Sequence, residues 1–454
     1  MVALAAAGPA GAAPKTETFR YGPISIGPYQ VLQRDLMFNI PKPAVDGYVT
    51  GMEVDVIDTN GAPMPINRLM LHHIVFLNLG QTPGAKRDGT CGQITAFNNR
   101  TAFPGIVERF YAAGEERAKM RLPEGYGYPM DAGDSWSMTA MMMNHRAKTD
   151  TAYIQYKVTY DTAPKTPVTP YWLDVKNCLA DPVYNVPGGK RRGAIHRKSA
   201  TWTVPKTGRI VAAGGHVHGG AKDLTLNRDS CELYSSRPTW GQASHPFYNV
   251  KPILHEPGPI NMTGFTSGQG FPVRKGERLR LDSNYDANLP HTRVMGIMVL
   301  FLAEDAAAAS SGCAKPADLR DWGTSEPGRS KAPRFKVPLT GLDKAGRAQR
   351  IVKPPGKRVR VRNGARIKVG DRFFSKPNVA IAQGGLLRWR FDSSELHNVT
   401  LANGPRGFAS PNLDAGRDFT QRLRKRGTYQ LFCALHPVDM TQTVKVTRKK
   451  PKRR

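Results

Sequence analysis

The 454-residue chain has no apolar run long enough to cross a membrane as a helix. Its longest, residues 294–303, is ten residues, against the roughly 20 that a bilayer requires, so the mature chain is expected to be soluble. Sustained helical periodicity is also missing. With 45 Gly and 36 Pro, the pattern favours many short strands joined by turns. Cysteine is sparse, at five residues, and no motif of a nucleic-acid reader is present, so nucleic acid is not an expected partner. Acidic residues are scarce relative to basic ones: 36 Asp and Glu against 66 Lys and Arg, a net charge of +30.

That charge is concentrated at one end. Residues 331–454 hold 30 Lys and Arg against 7 Asp and Glu, or +23 of the +30. Such a field favours an acidic redox partner or an anionic cell-wall or membrane surface, while the last eight residues read as a solvated basic tail. The first 18 residues read as a signal-peptide remnant or a disordered tail: an Ala-rich apolar stretch, then Ala10-Gly-Ala12 as a small-residue cleavage site without a basic leader. The expectation is a secreted, extracytoplasmic protein, where paired cysteines persist. If Cys433 serves a metal, Cys91, Cys178, Cys231 and Cys313 remain, and four cysteines allow three pairings.

The chemistry is densest in residues 429–440, Tyr-Gln-Leu-Phe-Cys-Ala-Leu-His-Pro-Val-Asp-Met, which put Cys433, His436 and Met440 within eight residues. A thiolate, imidazoles and a weak thioether suit copper in a trigonal site with a long axial bond. The second imidazole is His397, in Glu395-Leu-His-Asn-Val-Thr400. The alternative is a buried free cysteine near surface histidines. The order His…Cys-x-x-His-x-x-x-Met resembles the cupredoxins, the plastocyanin-like blue-copper proteins, over residues 365–447. That resemblance implies a Greek-key β-sandwich and a type 1 copper on Cys433, His397 and His436, with Met440 axial.

Upstream, residues 69–78 read as a strand with His72 and His73 at its middle. Neighbours on a strand point to opposite faces, so one metal can take both only if the strand twists or bulges there. Otherwise one is a core and one a surface histidine. Residues 134–145 form another candidate strand ending at His145, with Met141, Met142 and Met143 read as core packing. Thr151 to Tyr160 alternates with period two. Farther on, His216-Val-His218 places two imidazoles on one strand face, with glycines on either side. In the strand 291–301, Met295 and Met298 have opposite parity, so only one can face a given site. His196, His245, His255 and His291 show no partner spacing, and His255 reads as a loop residue.

Together these parts resemble the copper type II, ascorbate-dependent monooxygenases of the peptidylglycine hydroxylating and dopamine beta-monooxygenase kind, over about residues 20–304. The resemblance implies two consecutive antiparallel β-sandwiches with two type 2 coppers. One, on His72, His73 and His145, stores an electron; the other, on His216, His218 and Met298, activates dioxygen. It also implies an external reductant and hydroxylation of a C–H bond in a small organic substrate. Where peptide-amidating members carry a substrate-anchoring Arg, this chain has Gly214, and Leu300 and Leu302 replace their Asn and Tyr. Those changes argue against peptide amidation and for a less charged substrate. A further likeness is to plant stress- and nodulation-induced proteins of unknown activity, and the alternative to an enzyme is a copper-binding, electron-carrying or copper-handling stress protein without turnover on the same scaffold. The expected architecture is all-β: a first sandwich over 19–170, a second over 171–304, a linker over 305–334, and a cupredoxin domain over 335–454 whose type 1 copper feeds electrons to the core.

Overall fold

The computed structural model describes residues 13–448 except 83, 92, 96–101, 105–106, 177, 310–311 and 324–327. The candidate cleavage site at residues 10–12 and the basic tail at 449–454 lie outside the described residues. Among the described residues there is no α-helix; the one helical turn is the 3₁₀ segment Pro246–Tyr248. The chain is all-β, as its turn-rich, aperiodic sequence dictates.

The first layer pair packs the strands Lys15–Ile26, Asp150–Asp161, Gly47–Ile57 and Tyr126–Met130 against Val31–Ile40, Ser135–Asn144, Leu69–Gly80 and Glu108–Gly114. Asp150–Asp161 shows why. Ala152, Ile154, Tyr156 and Val158 are fully buried while the residues between them reach solvent, the period-two division of a half-buried strand. Phe76, Phe110, Trp136 and Met138 fill the space between the sheets.

A second pair sets Thr166–Asp174, Gly296–Glu304, Gly208–Val217, Gly264–Val273 and Arg320–Trp322 against Ile195–Thr203, Arg278–Asp286, Ala221–Arg228 and Cys231–Ser236. The two sandwiches are continuous through one layer. Thr166 and Pro167 pair in parallel with Tyr126 and Gly127, merging the layers into a single ten-stranded sheet. Gly208–Val217, which carries His216, belongs to this merged sheet, while Leu69–Gly80, which carries His72 and His73, belongs to the facing layer of the first sandwich.

The segment 305–334, expected as a linker, is instead laid along the second sandwich. Cys313 bonds Cys231, Arg320–Trp322 pairs with Gly264–Thr266, and Trp240 exchanges backbone hydrogen bonds with Arg329. The other bridge, Cys91–Cys178, ties the first half to the second. The pairing left open by sequence is thus settled, and each bridge spans more than 80 residues. In the chain-entropy account a loop of that size is worth roughly 4–5 kcal/mol, and loss of a native bridge costs about 2–5 kcal/mol. Denaturant unfolding with and without reductant should show a drop of that size; an unchanged midpoint would mean that neither bridge constrains the unfolded chain.

The third sandwich carries a five-stranded layer (Val359–Arg360, Asn378–Ala382, His436–Thr447, Gly427–Cys433, Thr400–Asn403) and a four-stranded one (Phe373–Phe374, Ala365–Gly370, Leu386–Phe391, Asp418–Arg422). Trp389 lies fully buried between them and donates its indole N–H to Gln442 Oε1 at 2.9 Å. Its hydrophobic cluster continues into Val31, Met70, Met141 and Met143 on the outer face of the first sandwich. Polar contacts bind it to the second: Thr292 Oγ1 donates to Leu401 O (3.0 Å), Arg293 Nη1 to Ser410 O (3.2 Å), and Gly407 N to Pro187 O (2.8 Å). All three sandwiches therefore meet around residues 290–295.

Candidate metal centres

In the third sandwich, Gly427–Cys433 and His436–Thr447 are antiparallel neighbours whose register breaks after Phe432. The break turns the chain so that Cys433 and His436 become partners, while Met440 sits next to the Thr441 that pairs with Phe432. Cys433, His397 and Met440 have no exposed surface. Cys433 Sγ lies 3.9 Å from His397 Nδ1 and 3.7 Å from His436 Nδ1, and the two Nδ1 atoms are 3.1 Å apart.

The far nitrogens are held from outside, His397 Nε2 by Ser393 Oγ at 2.9 Å and His436 Nε2 beside Glu395 at 3.4 Å. Partners at the outer nitrogen fix ring orientation and leave the inner nitrogen for a metal. Asn398 N donates to the sulfur at 3.3 Å, and Asn398 Oδ1 accepts from Ala434 N at 2.8 Å, locking the loop. Burial lowers His397, and burial with the neighbouring His397 pushes His436 down to about 4, so both rings are neutral at pH 7. Burial raises the Cys433 thiol; its ionisation needs a compensating cation.

The second cluster lies where the first two sandwiches meet. His73 pairs with Met141 and Leu71 with Met142, so His72 is an extra residue in the strand. This is the bulge that an adjacent pair requires to share a site. The ring centroid of His72 is 5.2 Å from that of His73, 5.2 Å from His218 and 5.0 Å from His255. His216 and His218 lie 5.1 Å apart between centroids and 3.1 Å between Nε2 atoms. The histidine pair and the His-x-His thus form one contiguous group of rings.

Two consecutive glutamates after Glu108–Gly114 order it. Glu116 accepts from His216 Nδ1 at 3.1 Å and from Gly114 N at 2.9 Å, while Glu115 Oε1 meets His72 Nδ1 at 2.5 Å and contacts His255 Nε2. Burial works against charge on His216, but Glu116 outweighs it and raises that imidazole. Burial and the neighbouring imidazoles hold His73 and His218 well below the usual histidine range. Burial raises the Glu115 carboxyl, yet His255 and His72 outweigh it, and the group stays ionised.

Not every expected ligand arrives here. Met298 is fully buried in the core of the second sandwich, paired in register with Gly215, whereas His216 pairs with Ile297 and so shares the opposite face. The structure does not bring Met298 to the histidines. Met295, of the other parity, lines a cavity of about 90 Å³ with His72, His73 and His218. His145 sits beside the group: its Nδ1 contacts Pro252 O at 3.1 Å and its buried Nε2 has no partner. Burial and the nearby His255 push it down to about 4. His255, read as a loop residue, is on a loop and is a member of the cluster. The two glycines after the His-x-His give room to protein: a Cβ on Gly219 would lie 2.4 Å from Glu256 Cγ, and one on Gly220, at φ +82°, 2.1 Å from the His291 ring.

Glu115, Glu116 and His255 are invisible to strand-period reasoning, because they sit in a turn and a loop. An adjacent acidic pair closing a buried apolar strand was the available signal for the first two.

Two cavities adjoin the cluster. The 90 Å³ cavity is closed on its other side by Phe432 and Ala434, the neighbours of Cys433, and by Arg293, which pairs with Asp181 at 2.5 Å. Arg293 holds a left-handed backbone, φ 55°, an arrangement that packing must maintain. A larger cleft of about 660 Å³ has His73, His216 and Glu116 in its wall and is otherwise chiefly apolar, with Trp172, Ile297, Val299 and Trp322.

The family model of stress up-regulated Nod 19 proteins matches residues 109–305, from the strand that leads into Glu115 and Glu116 through the second sandwich. Among curated proteins none matches the chain. Among solved structures, the chain is similar to a novel purple cupredoxin from Nitrosopumilus maritimus, at 27% identity over 18% of this chain and 99% of that one, with a TM-score of 0.17. An oxidised amicyanin mutant is similar at 18% identity over 18% of this chain and 82% of its own, with a TM-score of 0.18. A reduced amicyanin mutant is similar at 22% identity with the same shares and TM-score.

Proposed function

We propose that the protein is an exported copper-dependent oxidoreductase, with a type 1 copper in the third sandwich serving a second metal centre in the histidine cluster. The observation that carries this reading is the convergence of Cys433 Sγ with His397 Nδ1 and His436 Nδ1, 3.1 to 3.9 Å apart, with Met440 buried in the same cluster. A thiolate, two imidazoles and a weak thioether are the donors of a blue-copper site. Bound copper would supply one-electron transfer at Cys433 and dioxygen activation at the histidines.

The chain's own residues do the rest. Ser393 orients His397, and Glu116 holds Nδ1 of His216 so that Nε2 faces His218. Phe432 and Ala434 bring the backbone beside Cys433 to the cavity that His72, His73 and His218 line. The 660 Å³ cleft can take a small, uncharged organic molecule against His216 and shield it from water. The reaction we assign is hydroxylation of a C–H bond of that molecule, with an external reductant. Two disulfides support export to an oxidising compartment. The basic third sandwich suits an acidic redox donor or an anionic wall or membrane surface.

One observation favours a second reading, copper holding or electron transfer without turnover: Met298 is turned away from the histidines, which leaves the oxygen-activating set implied by resemblance without its thioether. Oxygen uptake separates the two. Copper-loaded protein given ascorbate and a panel of apolar aromatic and aliphatic compounds should consume oxygen in proportion to hydroxylated product. Copper bound at both centres with no substrate-dependent uptake would leave the electron carrier standing.

A further inference from the structure

Glu115 occupies a place that an orienting carboxylate alone does not explain. It is 8% exposed. Oε2 accepts from Gly258 N at 2.8 Å, and Oε1 faces two imidazole nitrogens at once, His72 Nδ1 and His255 Nε2. By contrast, Glu116 serves a single ring. A buried carboxylate without a full counter-charge is costly. The three donor atoms lie within 4.8 Å of one another. They come from three segments: the bulge in Leu69–Gly80, the turn after Glu108–Gly114, and the loop before Gly258 in the second sandwich.

We propose that His72 Nδ1, His255 Nε2 and a Glu115 oxygen form a two-histidine, one-carboxylate site for a divalent first-row cation, and that this ion joins the first sandwich to the second. The set differs from the adjacent-pair triad of His72, His73 and His145. Two imidazoles and a carboxylate suit zinc, iron(II), cobalt(II) or copper(II) rather than a soft monovalent ion. Gly258 N–H holds the second carboxylate oxygen in the manner of outer partners that fix a ligating group. Because the ligands come from both sandwiches, binding should stabilise their association as well as each fold. The inference deepens the proposed function, resting on its reading that the histidine cluster binds metal.

The test is a Co²⁺ titration of the metal-free full-length chain carrying Cys433→Ser, which removes the thiolate site. The readouts are ions bound per chain by equilibrium dialysis, the visible d–d absorption, and the melting temperature. Glu115→Gln and His255→Ala, each added to that background, should lower the count by one ion and remove the Co²⁺-dependent rise in melting temperature. Should the Glu115→Gln chain fail to fold, His255→Ala, on a half-buried loop, carries the same comparison. Variants that bind as many ions as their parent, with the same thermal gain, overturn this site and leave the proposed function intact. A parent that binds no Co²⁺ overturns this site, and one that binds neither Co²⁺ nor copper overturns the reading of the histidine cluster as a metal centre as well.

Discussion

Cys433→Ser is expected to abolish the intense visible absorption of the copper-loaded protein and to lower bound copper by about one ion per chain. The band of a type 1 site arises from charge transfer between thiolate sulfur and copper, and Cys433 is the only cysteine outside the two disulfides. Serine is nearly isosteric and keeps the Asn398 N–H within reach of its hydroxyl, so the strand pair and its register should survive. What is lost is donor chemistry: a hydroxyl is hard and stays protonated, and a soft thiolate is what selects copper here. Optical and EPR spectra before and after copper loading read the result directly. A blue band that persists in the variant would remove Cys433 from the site and, with it, the observation on which the proposed function rests.

This centre was legible in the sequence because its ligands are local. Cys433, His436 and Met440 fall within one hairpin, and His397 begins the stretch that enters the neighbouring strand, Thr400–Asn403. The bulge at His72 could also be anticipated, since adjacent residues on a regular strand cannot share a face. What could not be read was tertiary. The parallel pairing of Thr166 with Tyr126 joins one layer of each sandwich into a single sheet, and His72, on the other layer of the first, lies 5.2 Å from His218 between ring centroids. No spacing along the chain encodes that approach of the histidine pair to the His-x-His. Met298 shows a different failure. Parity showed that only one of Met295 and Met298 could face the histidines, but register decides which. The pairing of His216 with Ile297 gives the cavity to Met295. Glu115 and His255 escaped because turn and loop residues have no period to betray burial.

The double variant His216→Ala with His218→Ala tests the other centre, and its effect should be as large: about one copper fewer per chain and loss of any reductant-dependent oxygen uptake. Two consequences have to be kept apart. His216 is the partner of buried Glu116, which is 4% exposed. Removing one member of a buried charge pair costs about 3–5 kcal/mol on its own, so the double variant should melt at lower temperature even without metal. His218→Ala alone leaves the His216–Glu116 contact in place. It should therefore lose the ion while keeping the metal-free melting temperature of the parent. Metal content and metal-free stability, measured on both variants, divide ligand loss from packing loss. Unchanged copper in His218→Ala would mean that its Nε2, 3.1 Å from that of His216, is a hydrogen-bond partner and not a ligand. The histidine cluster would then be a polar seam between two sandwiches, and the electron-carrying reading would follow from the third sandwich alone.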